Sequence, residues 1–172
     1  MTMSPGLRKF TLTVHIALSV GWIGAVVAYI ALDVTDLTSE DPQRLRSAYL
    51  AMDVIASNVI VPLALASLLT GLVVSLGTRW GLFRHYWVLI SFLLTVLATI
   101  VLLVETRTIS HLAAVAVDPT TTDDDLRALG NTLPHSVGGL IVLLVVFVLN
   151  VYKPRGMTRY GQRRQREAND LE

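Results

Sequence analysis

Whatever chemistry this chain performs must come from four histidines, His15, His85, His111 and His135, from carboxylates such as Asp33, Asp53 and Glu105, and from hydroxyl groups. There is no cysteine. Disulfides, thiolate metal sites, iron-sulfur clusters and cysteine nucleophiles are therefore excluded. His15 stands inside a long apolar run. Neutral imidazole is a good ligand for haem iron, and helix bundles build cofactor sites from side chains on facing helices. The plainer reading is a histidine hydrogen-bonded to a neighbouring helix. His85 precedes Tyr86 and Trp87, so it reads either as a second axial ligand or as one member of an aromatic belt at a membrane surface. His111 and His135, with Glu105, Asp33 and Asp53, make a mixed imidazole and carboxylate set that suits copper or zinc. No short His-x-x-x-His spacing accompanies them, and solvated loops account for the same residues. His135 could equally ligate haem from the start of the last apolar run.

The elements that must position these groups are apolar helices. Of 172 residues, 53% are hydrophobic and only 16% charged, which makes the bilayer the expected solvent. Four spans of about 20 apolar residues each fit this length. They fall at about residues 7–32, 54–77, 86–108 and 133–152. The expected fold is all-α, an integral membrane four-helix bundle in one domain over 1–152, followed by a basic tail over 153–172. A signal peptide competes for the first run, but that run exceeds a normal h-region, and Ala28 and Ala31 are spaced too widely for a cleavage site. Asp41-Pro42 reads as a helix N-cap with proline at the first helical position, and Leu45, Tyr49, Met52 and Ile55 carry helical spacing from there into the second span. Pro62 should kink it. The third helix is expected to project beyond its span as far as Val117, where Asp118-Pro119 stops it. Asp123-Asp124-Asp125 suits the first turn of a short helix. Gly138-Gly139 is a packing feature, and no nucleotide motif is present, which removes a primary ion pump.

Orientation follows from the basic flanks. Arg8 and Lys9, then Arg79 and Arg84, then Lys153, Arg155, Arg159, Arg163, Arg164 and Arg166 mark one side. The other two connections carry Arg44 with Arg46 and Arg107 with Arg127, outnumbered by acids. The expected placement is a multi-pass protein of the bacterial plasma membrane with both termini cytoplasmic. The Arg-rich tail is either a topology anchor or a site for anionic lipid headgroups. The predominance of Arg over Lys is a compositional sign of a GC-rich bacterial genome.

Within spans, residues three or four apart share a face. His15, Ser19, Trp22, Val26, Tyr29 and Asp33 form one stripe of the first helix, expected to face the interior or a cofactor. Ala17, Gly21, Gly24 and Ala28 form a second stripe, expected to let another helix approach. On the third span Arg84, Trp87, Ser91, Thr95, Ala98, Leu102 and Glu105 make a comparable polar stripe. His15 should lie roughly 10 Å along its span from the cytoplasmic end.

Val14-His15-Ile16 followed by Gly21-Trp22-Ile23-Gly24 resembles the "LH...WxGG" signature of a large group of bacterial membrane proteins. Pro62-Leu63, Leu69-Thr70-Gly71-Leu72 and the run from Thr78 through Arg79, Trp80 and His85 to Val88 resemble an uncharacterised "predicted integral membrane protein" family common in actinobacteria. The resemblance covers about Leu7 to Tyr152. The wider group includes the CopD copper-resistance proteins and the HemJ-type protoporphyrinogen oxidases. In the latter, a first-span histidine and a lysine early in the third span are associated with haem. The resemblance implies that role for His15. At the lysine position this chain has Ser91, which is no axial ligand, so the oxidase reading keeps one of its two marks. Three readings follow. One is a b-type haem or tetrapyrrole-binding bundle, a haem-linked oxidoreductase if it is an enzyme, with His15 as ligand, Trp22 and Trp87 beside the ring, and His85, Ser91 and His135 as further contacts. Another is a non-catalytic accessory subunit, as a homo-oligomer or in a larger membrane complex. The third is a copper-handling protein using His111, His135 and Glu105, with His15 as a further candidate metal ligand. Nucleic acid is not an expected partner.

Overall fold

The computed structural model describes residues 3–78 and 81–170; Arg79 and Trp80 of the second connection lie outside the described residues. The described chain is helical throughout: α1 (Pro5–Thr38), α2 (Pro42–Ile55), a π-helical turn (Ala56–Ile60), α3 (Val61–Gly77), α4 (Tyr86–Val117), α5 (Asp123–Arg127), α6 (Leu133–Tyr152) and α7 (Arg159–Asn169). Among the described residues four helices are long and apolar enough to cross a membrane: α1, the continuous α2–π–α3 helix, α4 and α6. This fits a multi-pass membrane protein.

Local chemistry sets the boundaries. Pro5 starts α1, where its missing N–H costs nothing. Asp41 caps α2 by accepting the Gln43 N–H at 3.0 Å, with Pro42 at the first helical position. Pro62 cannot donate to the ladder, and the helix answers one turn earlier with the π turn, where the Val61 N–H reaches the Ala56 carbonyl. The irregularity expected at Pro62 is thus a register change in the ladder. Asp118 is extended, as a residue before proline prefers, and ends α4. The carbonyls left over at that end accept from Arg46 of α2, whose guanidinium reaches Ala116 O at 2.5 Å and Thr121 O at 2.9 Å. Thr122 and Asp125 form a reciprocal capping box on α5, whose first turn holds the acidic triplet.

α1 packs against α2–α3 and α6, and α4 packs against the same two neighbours, so α1 and α4 lie on one diagonal of a square bundle. The central core joins Trp22, Val26 and Tyr29 of α1 to Met52, Ile60, Ala64, Ile109 and Leu143. Large apolar side chains such as Leu69, Leu93, Leu97, Val104, Ile141 and Val148 point outward, as lipid contact requires. The small-residue stripe also lies on the exposed face. Gly24 has nothing within 4 Å of where a Cβ would sit, and Gly21 meets only Leu63, at 3.7 Å.

Two polar ties fix the ends of the bundle. At the end away from the termini, Asp33 is fully buried and joins α1 to α6. Its Oδ1 accepts from Thr132 Oγ1 at 2.6 Å and its Oδ2 from Ser136 Oγ at 2.5 Å. Since the Thr132 proton goes to Asp33, the Tyr29 hydroxyl at 3.0 Å donates to Thr132. At the other end the tail folds back onto the connection before α4. His85 and Met157 form an antiparallel bridge, Tyr86 N–H donates to Gly156 O at 3.3 Å, and Thr158 N–H donates to Arg84 O at 3.0 Å. Gly161 packs so closely that a Cβ there would meet the Arg84 carbonyl oxygen. The basic tail is a docked segment carrying its own helix.

Asp33→Ala removes the acceptor of the buried Thr132 hydroxyl and one of the two acceptors of the half-buried Ser136 hydroxyl, which keeps Leu133 O at 3.1 Å. We expect a loss of about 1–3 kcal/mol, read as a lower thermal midpoint in detergent, with Asp33→Ala and Ser136→Ala non-additive in a double-mutant cycle. Gly161→Val should release the tail, and trypsin should then cleave after Arg159, Arg163 and Arg164 faster while the four long helices stay protected.

Candidate functional site

In the half of the bundle nearest the termini, all four long helices line one cavity of about 700 Å³. That volume lies within the range of small-molecule and cofactor sites, roughly 300–1,000 Å³. The interior stripes supply it: His15, Ser19 and Trp22 from α1, Ser67 and Gly71 from α3, Trp87, Ser91 and Thr95 from α4, Leu143 and Phe147 from α6. Four of the residues singled out by spacing and type, His15, Trp22, Trp87 and Ser91, are thereby brought together.

His15 is held against α3. Its Nδ1 lies 3.1 Å from Thr70 Oγ1, and the Thr70 hydroxyl donates to Ala66 O at 2.7 Å. One hydroxyl has one proton, so the ring nitrogen is the donor and Nδ1 carries hydrogen. The ring also hydrogen-bonds the Ser67 backbone, a second contact that holds it against α3. Gly71 makes room for the ring, since a Cβ at that position would lie 2.9 Å from His15 Cε1. Next to it Ser19 Oγ donates to His15 O at 2.8 Å and accepts from Ser67 Oγ at 2.8 Å, closing the polar seam between α1 and α3.

Across the cavity, Ser91 is only 6% exposed, and its hydroxyl has no hydrogen-bond partner among the described residues. Thr78 Oγ1, on another wall of the same cavity, is likewise buried without a partner. Buried hydroxyls are normally paired, so two unpaired ones lining one cavity mark a place where a polar ligand atom gains most. Spacing placed Ser91 on the polar stripe of the third span, while Thr70, Gly71 and Thr78 entered only as members of the motifs that carry the resemblance, and their roles depend on which helix faces which.

The other histidines sit elsewhere. His85 is the extended residue before α4, engaged in the bridge to Met157 and not among the cavity's lining residues. His135 lies at the opposite end, 57% exposed, with Nε2 3.4 Å from Glu105 Oε1. His111 is exposed on α4. Asp33 is taken up by its hydroxyl ties, and Asp53 accepts from Ser110 Oγ at 2.6 Å. Among the described residues no three His, Asp or Glu side chains gather closely enough to hold a metal ion. Of the set expected to bind copper or zinc, the structure brings His135 and Glu105 together and places His111 on an exposed face of α4.

Gly71→Ala should push the His15 ring off α3 and Thr70→Val should remove the group that fixes its tautomer. Nitrogen-15 spectra of histidine-labelled protein should show a protonated Nδ1 and bare Nε2 for His15 in the parent chain and a mixture of tautomers in Thr70→Val. Compared with known proteins, the chain matches no family model, no curated protein and no solved structure, so its site is characterised by geometry alone.

Proposed function

We propose that the protein is a bacterial plasma-membrane four-helix bundle that binds a b-type haem or related tetrapyrrole in its terminal-side cavity, with His15 as the axial ligand. The observation that carries this reading is His15 itself: an imidazole with Nδ1 tied to Thr70, lining a cavity walled by Trp22, Trp87, Phe92 and Phe147. A hydrogen bond on the far ring nitrogen is the arrangement that fixes and strengthens a metal-ligating histidine. The aromatic and aliphatic walls suit the faces of a flat apolar ring. Among the described residues His15 is the one imidazole lining the cavity. Ser91 stands as a hydrogen-bonding group facing the ligand. A bound haem would supply one-electron redox chemistry, while the residues around it set its polarity and access.

The basic flanks support an orientation with both termini and the cavity toward the cytoplasm. Arg159, Arg163, Arg164 and Arg166, on or beginning α7, then face the anionic inner leaflet, where they can meet lipid headgroups.

Detergent-purified protein expressed with haem precursor should show a Soret band. His15→Ala should abolish it, Gly71→Ala should weaken it, and His135→Ala should leave it unchanged. A colourless parent protein under those conditions removes the proposal.

A further inference from the structure

At the end of the bundle away from the His15 cavity, the outward face between the second long helix and α4 is graded in polarity. A groove of about 440 Å³ there is lined by Ser57 of the π turn, Val61 of α3, and Leu103, Thr106, Arg107 and Ser110 of α4. α2–α3 runs from the end away from the termini toward the middle and α4 runs the opposite way, so Val61 and Leu103 lie one turn deeper than Ser57 and Arg107. Exposed Leu65 and Ile100 continue the apolar part of the groove inward. α6 fixes the level. Its 20 residues extend over ~30 Å, the thickness of the hydrocarbon core. His135 in its first turn meets Glu105 at 3.4 Å, which sets nearby Arg107 where hydrocarbon gives way to headgroups. The groove's hydrogen-bonding capacity is lopsided. Ser110 Oγ donates to Asp53 Oδ1 at 2.6 Å, Ser57 Oγ turns to the same oxygen at 3.5 Å, and Thr106 Oγ1 donates to Leu102 O at 2.8 Å. Each hydroxyl has its proton committed, so these three oxygens, like the Asp53 carboxylate, are left to accept. Arg107 supplies the N–H donors. Asp53 stands level with Ser110, three residues and about 4.5 Å further out along the helix than Arg107.

We infer that this groove holds one phospholipid with an ethanolamine headgroup, drawn from the leaflet at the end away from the termini. Its phosphate sits on Arg107, its primary ammonium on Asp53 and the serine oxygens, and one acyl chain lies along Val61, Leu65, Leu103 and Ile100. The two-carbon link between phosphate and amine matches the offset between Arg107 and Asp53. A quaternary choline has no N–H to give to the acceptors, and a glycerol headgroup brings no positive charge to Asp53. The π turn, a feature that recurs at functional sites, carries Ser57 into the groove. The assignment is independent of the tetrapyrrole reading, since it concerns other residues at the other end of the bundle.

The test offers the full-length protein, delipidated in neutral detergent, equal amounts of dioleoyl phosphatidylethanolamine, phosphatidylcholine and phosphatidylglycerol, and counts the lipids retained by native mass spectrometry. A single ethanolamine lipid should be retained about fivefold over the choline lipid, the scale of one exposed charge pair. Asp53→Asn, which keeps an acceptor for Ser110, should equalise the two, and Arg107→Gln should weaken both. Leu103→Trp, at an exposed position, fills the apolar part of the groove and should displace the lipid without touching the Asp53 tie. Equal retention of ethanolamine and choline lipid by the parent protein overturns the site. So does an ethanolamine preference that survives in whichever of the three variants folds, and so does a stronger retention of the glycerol lipid that Arg107→Gln abolishes.

Discussion

The contact on which the bundle's shape turns is the pair of hydroxyl groups that Thr132 and Ser136 present to the buried Asp33 carboxyl. α6 is the shortest of the spanning helices, and polar attachment anchors its first turn to α1. In hydrocarbon a carboxyl group without partners is expensive, and satisfying it fixes the approach of the two helices at that end. In the other half the cavity lies between the same pair. Clamped at one end and parted at the other, α1 and α6 behave as the two arms of a wedge.

The remaining long helices hold the wedge open at a fixed width. The π turn before Pro62 inserts one residue into the ladder, which rotates every α3 side chain relative to α2. That rotation belongs to the register in which Ser67, Thr70 and Gly71 all meet the His15 stripe. Arg46, by closing the carbonyl end of α4, fixes α4 against α2 in turn. Each spanning element is thus pinned by one strong polar contact, with apolar packing filling the space between.

Periodicity was enough to identify the faces. The stripe from His15 through Trp22, Val26 and Tyr29 to Asp33 does turn inward, and so does the one from Trp87 through Ser91 and Thr95, because a 3.6-residue period fixes which side chains share a face. It does not fix partners. His15 meets Thr70 and Gly71, and Asp33 meets Thr132 and Ser136, at sequence separations no local pattern encodes. The Ala17, Gly21, Gly24 and Ala28 stripe shows the same limit from the other side. Small residues signal close approach, yet within this chain they lie on an exposed face. The tail was legible as charge and not as structure, since its docking depends on backbone pairing to Arg84 and Tyr86 that side-chain composition cannot reveal.

That docking has a consequence for how the molecule is made. Residues 156–158 pair with residues 84–86, whose connection contributes Leu82 to the cavity wall. On the ribosome the connection emerges long before its partner. The four spanning helices can be inserted and packed while this end is still unfinished, and it is secured only once residues 156–158 have been synthesised. A cavity filled before that moment would be filled through an unsealed end, and one filled afterwards would be reached from the side, between α1 and α6. Docking of residues 156–158 therefore divides the life of the site into two periods with different routes of access.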